Sequence, residues 1–195
     1  VTSNLWTIEI VSPKSSWEAE FTDIAVRLAH AFGDTARDIQ HIGSTSVPGL
    51  PAKDIIDVQA TVVSLDLDSD TERRLSDVGF SLSEETLSDH IPSDAQQPPG
   101  AWAKRFARAA DGQRRAHVHI RREGAPNERY ALLFRDYLRV CPAAAKSYAS
   151  IKRELAARHP HDKDAYYAIK DPVCDLIIDA AEQWALGNWN MSRKK

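Results

Sequence analysis

The sequence predicts an α+β or mixed α/β fold in which strands and helices interleave first and helices alone follow. Three observations carry this. "ARDIQHI" and "DIIDVQATVV" read as strands, and the second is β-branched, apolar and nearly uncharged, as a central strand should be. "RRAHVHIRR" alternates strictly, so Val118 and Ile120 lie on one face and His117 and His119 on the other. From Pro126 onward the apolar residues return at helical spacing instead, as in "PNERYALLFRDYLRV". Strands before, helices last: that order suits a sheet core with a helical C-terminal part.

The elements follow in order. "LWTIEIVS" alternates well enough for a short strand. Ser15 with Glu18 three residues on predicts a capping box. Trp17, Phe21, Ile24, Leu28 and Phe32 then line one helix face, and Gly33 stops it. After the two strands, "DSDTERRLSDVGF" predicts a helix ending at Gly79, with a strand near Phe80 to Leu82. Residues 83–114 are rich in Pro, Ser and Asp and predict a long loop, of the kind that is functional or mobile. Three helical stretches close the chain. "PAAAKSYASIKRELAARH" starts on Pro142, "DAYYAIK" is short, and Asp171-Pro172 predicts an N-cap and first position for "VCDLIIDAAEQWALG". One domain over residues 1–190 is expected, with a core of about 1–122, a helical part of about 126–190 and a tail at 191–195.

Composition sets limits. A chain of 195 residues buries roughly 70% of its unfolded surface, so it needs no disulfide or structural metal to fold. Net charge is −3 and the basic residues are scattered, which argues against dedicated nucleic-acid binding. Cys141 and Cys174 are too few for a disulfide scaffold and lack metal spacing. No window reaches the ~18 apolar residues of a membrane span, and the first residues lack signal-peptide regions. A reducing, cytoplasmic setting and no membrane partner are the expectation. The chain starts at Val1, as either a fragment or a chain begun on a valine codon would.

The chemistry gathers in "HIGSTSVPGLPAKDIIDVQATV". Gly43-Ser44 after a strand lets backbone approach a phosphate, with N–H groups and the Ser44, Thr45 and Ser46 hydroxyls as donors. Lys53 can neutralise that phosphate. Asp57, separated from Ser44 by twelve intervening residues, interrupts an apolar strand, and an acid there can hold Mg²⁺ against that phosphate. Such a carboxylate needs partners. Either it serves a ligand, or it pairs with Lys53, Arg121 or a backbone donor and only stabilises the sheet. The loop hydroxyls have a plain alternative too, as ordinary surface-loop residues. His117 and His119 are metal ligands, a proton-transfer pair, or partly exposed polar residues. Arg135 either reaches into the site or is buried against Asp136. The Tyr, Trp and Leu positions of the last helices read as core.

That same stretch closely resembles the signature of the GrpB family. "AHVHIRR", "ALLFRDYLRVCPAAAKSYASIKRELA" and "YYAIKDPVCDLIIDAAEQWA" agree with it as well, so the resemblance runs from about Ile8 to Trp184. The wording is most similar to the GrpB-type domain fused behind dephospho-CoA kinase in actinobacteria, though no G-x-x-x-x-G-K-[ST] is present here. The resemblance implies a nucleotidyltransferase-like mixed sheet and a nucleotide or other phosphorylated small molecule as ligand. It also implies a nucleotidyltransferase activity with Mg²⁺ or another divalent metal. By it, Gly43 and Ser44 match the Gly-Ser element and His41 precedes them. Asp57 matches the first acid, and His119 or His117 falls near the third, which makes Asp57 and His119 the metal candidates. Gln59 stands where the second acid would be, so one Mg²⁺ or a histidine-assisted transition metal is expected in place of a pair.

Two alternatives accompany that function. One is a non-catalytic interaction or folding module with dephospho-CoA kinase as partner. The other is metal-dependent phosphohydrolysis, with residues 83–114 closing as a lid. In each case the expected pocket lies between the 41–53 loop, the Asp57 strand and the His117–His119 strand.

Overall fold

The structure, a computed structural model, describes residues 7–188. Its order is α1 (Trp17–Phe32), β1 (Ala36–Ile42), β2 (Ile56–Val62), α2 (Ser69–Asp77), β3 (Phe80–Leu82), β4 (Lys104–Ala109), β5 (Ala116–Arg122), α3 (Pro126–Val140), α4 (Pro142–Arg158) and α5 (Lys163–Asn188). The strands form one mixed sheet in the order β1-β2-β5-β4-β3. β2 and β5 run parallel, and the remaining neighbours run antiparallel.

Alternation along the strands gives the sheet two different faces. Ile56, Val58, Ala60 and Val62 of β2 are fully buried, as are Val118 and Ile120 of β5. They pack against Ile24, Leu28 and Phe32 of α1 and Leu75 of α2, which builds the main core. Apart from Ala60, each such side chain contributes about 1.5–3 kcal/mol by leaving water. The opposite face carries the polar residues of the same strands and is covered by the C-terminal helices. Smaller clusters around Tyr148, Leu138 and Cys174, and around Leu133, Ile178 and Ala181, hold those helices together. Among the described residues no helix is long and apolar enough to cross a membrane.

Several expectations need correcting. Leu5 and Trp6 of the expected first strand lie outside the described residues, as do residues 189–195. From Thr7 on the segment is a strap, not a strand. Val11 makes one bridge to Ala52, and Ile8 is buried beside Leu155 and Tyr166. The N-cap of α1 is Ser16 rather than Ser15, and no side chain caps it. Glu18 faces His41 instead, 3.5 Å from its Nδ1. Residues 83–114 are not all loop. "KRFARA" is strand β4, disguised by its charges, which find partners in the folded chain: buried Lys104 on Asp89, and Arg105 on Glu72 nearer the surface. Finally, α5 runs straight through Pro172. Asp171 caps nothing there, and its carboxylate accepts from Lys170 at 2.9 Å.

Candidate functional site

Strand parity decides which side chains face the C-terminal helices. Asp57 and Gln59 do so from β2, His117, His119 and Arg121 from β5, and Lys104, Phe106 and Arg108 from β4. The register sets Asp57 beside His117, Gln59 beside His119, and Phe106 beside His119. Above this face lies a cavity of about 460 Å³. Its other wall comes from α3, α4 and α5, with Tyr130, Phe134, Tyr148, Lys152, Tyr166 and Tyr167 lining it.

Asp57 sits where two constraints meet. Its β1 partner is Ile42, so the chain turns at Gly43 directly over the carboxylate. Gly43 has φ +69°, and a Cβ there would lie 2.6 Å from Asp57 Oδ2. Glycine is required both for the dihedral and for the space. Asp57 Oδ1 is 3.4 Å from His117 Nδ1 and 3.7 Å from His119 Nε2. Burial opposes ionisation of Asp57, but the two imidazoles outweigh it and hold the carboxyl well below the usual range. For His119, burial comes first and lowers its pKa from 6.5 to about 4, with Arg121 and Lys104 adding to the shift against the pull of Asp57. At neutral pH the site therefore holds a carboxylate beside a neutral imidazole.

Gln59 is fully buried and takes no part in the cavity's ligand chemistry. Its Oε1 accepts from Arg121 Nη1 at 2.6 Å, and its Nε2 donates to the Glu128 carbonyl at 3.3 Å. Behind it stands Asp89. It accepts from Lys104 Nζ at 2.5 Å, from Arg121 Nε at 2.8 Å and from Asn127 Nδ2 at 3.0 Å. Burial opposes its ionisation, yet Arg121 and Lys104 keep it well below the ordinary carboxylate range. This Lys104–Asp89–Arg121–Gln59 network is the floor under His119.

The opposite wall is cationic. Lys152 Nζ donates to Ser44 Oγ at 2.8 Å and to the Pro51 carbonyl at 2.7 Å. Lys53 Nζ donates to Tyr167 Oη at 2.6 Å and lies 5.0 Å from that ring's centre. Lys170 stands 5.2 Å from the same ring.

Gly43, Ser44, Thr45, Lys53, Asp57, His117 and His119 all line the cavity. Three expected residues do not. His41 is one residue out of phase with Ile42, so it faces α1, stacking on Phe21 at 4.6 Å, with Nε2 3.0 Å from Thr45 Oγ1. The Ser46 hydroxyl turns back to the Gly43 carbonyl at 2.6 Å. Arg135 donates to Gln40 Oε1 at 2.9 Å, the His41 carbonyl at 3.0 Å and Asp136 at 2.7 Å, tying α3 to β1. Lys53 and Arg121, the basic partners considered for Asp57, bind Tyr167 and Asp89 instead. Sequence reasoning missed Asp89, Lys104 and Lys152. The alternation Lys104-Phe106-Arg108 was the available signal for the second of these.

The donor set does not fit a pair of Mg²⁺ ions, which take hard oxygen ligands. Asp57 supplies one carboxylate, the Gln59 oxygen is committed to Arg121, and Asp89 is committed to three donors. Among the described residues no group of three or more His, Cys, Asp or Glu is arranged to hold a metal ion.

The model of the GrpB protein family matches residues 7–180, the span that includes both walls. The chain belongs to the GrpB family. A relative within it, the glutamate-rich protein GrpB of Alkalihalophilus pseudofirmus, is 30% identical over 183 residues, which cover 90% of this chain and 97% of that one. A dephospho-CoA kinase of Mycolicibacterium paratuberculosis is 37% identical over 190 residues, covering 91% of this chain and 47% of the kinase. The chain thus spans about half the length of the dephospho-CoA kinases it matches. The crystal structure of GrpB from Enterococcus faecalis superposes with a TM-score of 0.72 at 27% identity, covering 90% of this chain and 99% of that one. The GrpB fold is therefore the fold described above.

Proposed function

We propose that this GrpB-family chain binds a phosphorylated small molecule in the cleft, with a nucleotide as the class that matches best. One observation carries the reading. A single cavity joins the Gly43-Ser44 turn and Asp57 to a cationic wall, with a row of aromatic rings beside them. Glycine-turn backbone and lysines suit phosphate. Tyr130 stacks on Phe134 at 6.3 Å, and Phe134 meets Tyr148 edge-on at 5.5 Å, so the row offers faces and edges to a base. Asp57 accepts a ligand hydroxyl or amine, and neutral His119 can take a proton from it.

The reading stops at binding. Nucleotidyl transfer through two metal ions needs anionic ligands that this wall commits to its own cations. The test is thermal denaturation with nucleoside triphosphates, alone and with Mg²⁺ or Mn²⁺, on wild type and Asp57→Ala. At a ligand concentration a hundred times Kd the stabilisation is about 2.7 kcal/mol. For a chain of this size that is an upward shift of about 5–10 °C. Asp57→Ala should lose most of it. No shift in wild type with any triphosphate, with or without metal, contradicts the reading.

A second reading has its own support, the match to relatives named dephospho-CoA kinase along 90% of this chain. In it the chain serves as an interaction or folding module beside that kinase. Capture of the separate kinase by this chain at micromolar concentration, unchanged in Asp57→Ala, is its expected mark. Failure to bind the kinase removes it.

A further inference from the structure

We infer that Lys152 and Ser44 form the anion seat of the cleft, where the ligand's phosphate supplies the counter-ion that Lys152 lacks and Lys152 gains a proton as it binds. This rests on the reading of the cleft as a phosphate-ligand site and adds where the phosphate sits and what its arrival does.

The geometry points to it first. Lys152 keeps 3% of its exposure, as buried as Lys104 or Arg121, yet among the described residues no carboxylate lies within ion-pair distance of it. Its ammonium has three N–H groups. Ser44 Oγ and the Pro51 carbonyl take two of them, which leaves one for the cavity that Lys152 lines. A buried ammonium without an anion is costly, and charge-assisted bonds to a phosphate remove that cost. Ser44 stands at the first position after Gly43, so one phosphate can meet the Ser44 hydroxyl and the Lys152 ammonium together.

The surroundings explain the proton. Lys170 and Cys174 face Lys152 from α5, Lys53 from the loop before β2, Asp57 from β2, and Tyr148 from its own helix, with Nζ 4.6 Å from that ring's centre. Burial is the main cause that lowers the Lys152 pKa from 10.5 to about 7, and Lys170 and Lys53 push the same way. Above that pH the free protein holds Lys152 mostly neutral. A phosphate brings back the charge.

The experiment uses ATP at pH 8, where the nucleotide is already fully ionised, titrated calorimetrically in two buffers of different ionisation heat. Wild type should take up close to one proton per ATP. Lys152→Arg, whose guanidinium is always charged, should bind with no uptake. Lys152→Met should bind at least about tenfold more weakly, as loss of a charge-assisted bond predicts. Cooperative melting checks that both variants fold. ATP binding to wild type without uptake, or equal binding by Lys152→Met, overturns the seat and leaves the cleft reading intact. Sulfate gives an independent arm, because it does not titrate at pH 8 and needs no base pocket. It should raise the melting temperature of wild type more than that of Lys152→Met, at matched ionic strength. Equal rises overturn the seat, and no response of wild type to either probe overturns the seat and the cleft reading together.

Discussion

On the sheet wall of the cleft, Lys104 and Arg121 keep 6% and 5% of their exposure and share one carboxylate, Asp89. On the helix wall, Lys152 keeps 3% and has no carboxylate within ion-pair distance among the described residues. Burial is the same; compensation is not. A buried charge that the chain neutralises itself holds a shape, because removing either partner strands the other. A buried charge left to serine and a carbonyl is stable only as the neutral amine, or once an anion arrives. The sheet wall is therefore read as frame and the helix wall as receptor, with Asp57 and His119 at the seam.

Mutations and pH can break that contrast. The largest effect belongs to Asp89→Ala, which strands two buried cations. It should cost about 3–5 kcal/mol, read as a lower denaturant midpoint. A cost under about 1 kcal/mol would mean the network is not the frame.

His119 comes next. Its folded pKa of about 4 lies below the ordinary 6.5, so the unfolded chain binds the proton first as pH falls. Its contribution is whole above about pH 6.5 and drains away towards about pH 4, by roughly 3 kcal/mol in all. Asp57 stays ionised throughout that window, since its own carboxyl is held lower still. His119→Gln should flatten the profile of stability against pH between those limits, and an unchanged slope would contradict the assignment.

Gly43→Ala forces a side chain into positive φ and against Asp57. The dihedral alone, in a region that essentially only glycine adopts, costs about 1–3 kcal/mol. Nucleotide-dependent stabilisation should also disappear in this variant. The smallest effect on folding is expected at Lys53, which meets the Tyr167 hydroxyl and the Tyr166 and Tyr167 rings and is half-buried. Lys53→Met should stay within about 0.5 kcal/mol of wild type while weakening anion binding. A large loss of stability there would erase the distinction between the walls.

The legible part of the site was the part that strand parity governs. Asp57, His117 and His119 each sit on a strand whose alternation is visible, and the Gly43-Ser44 turn announces itself. The parallel pairing that sets Asp57 beside His117 joins residues sixty positions apart, and no local pattern encodes it. His41 shows the same rule missed by one position. It adjoins the motif but points the other way. Asp89 was hidden because it lies in a polar stretch and acquires meaning only when β4 and β5 bring Lys104 and Arg121 to it. β4 itself was hidden by its own charges, Lys104, Arg105 and Arg108, since a strand so rich in Lys and Arg looks like loop until their partners are known. Lys152 reads as one more lysine on an amphipathic helix, and its burial comes from α5 and the 44–51 loop closing over it. Pro172 misled for a local reason: a proline that can begin a helix is here inside one.

The most direct measurement is a crystal structure of the wild-type chain soaked with a non-hydrolysable ATP analogue and Mn²⁺. Phosphate density is expected within hydrogen-bond distance of both Ser44 Oγ and Lys152 Nζ, with the base against the Tyr130–Phe134–Tyr148 row. Density elsewhere on the molecule, or an unaltered Lys152–Ser44 bond with an empty cleft at saturating ligand, would contradict that placement.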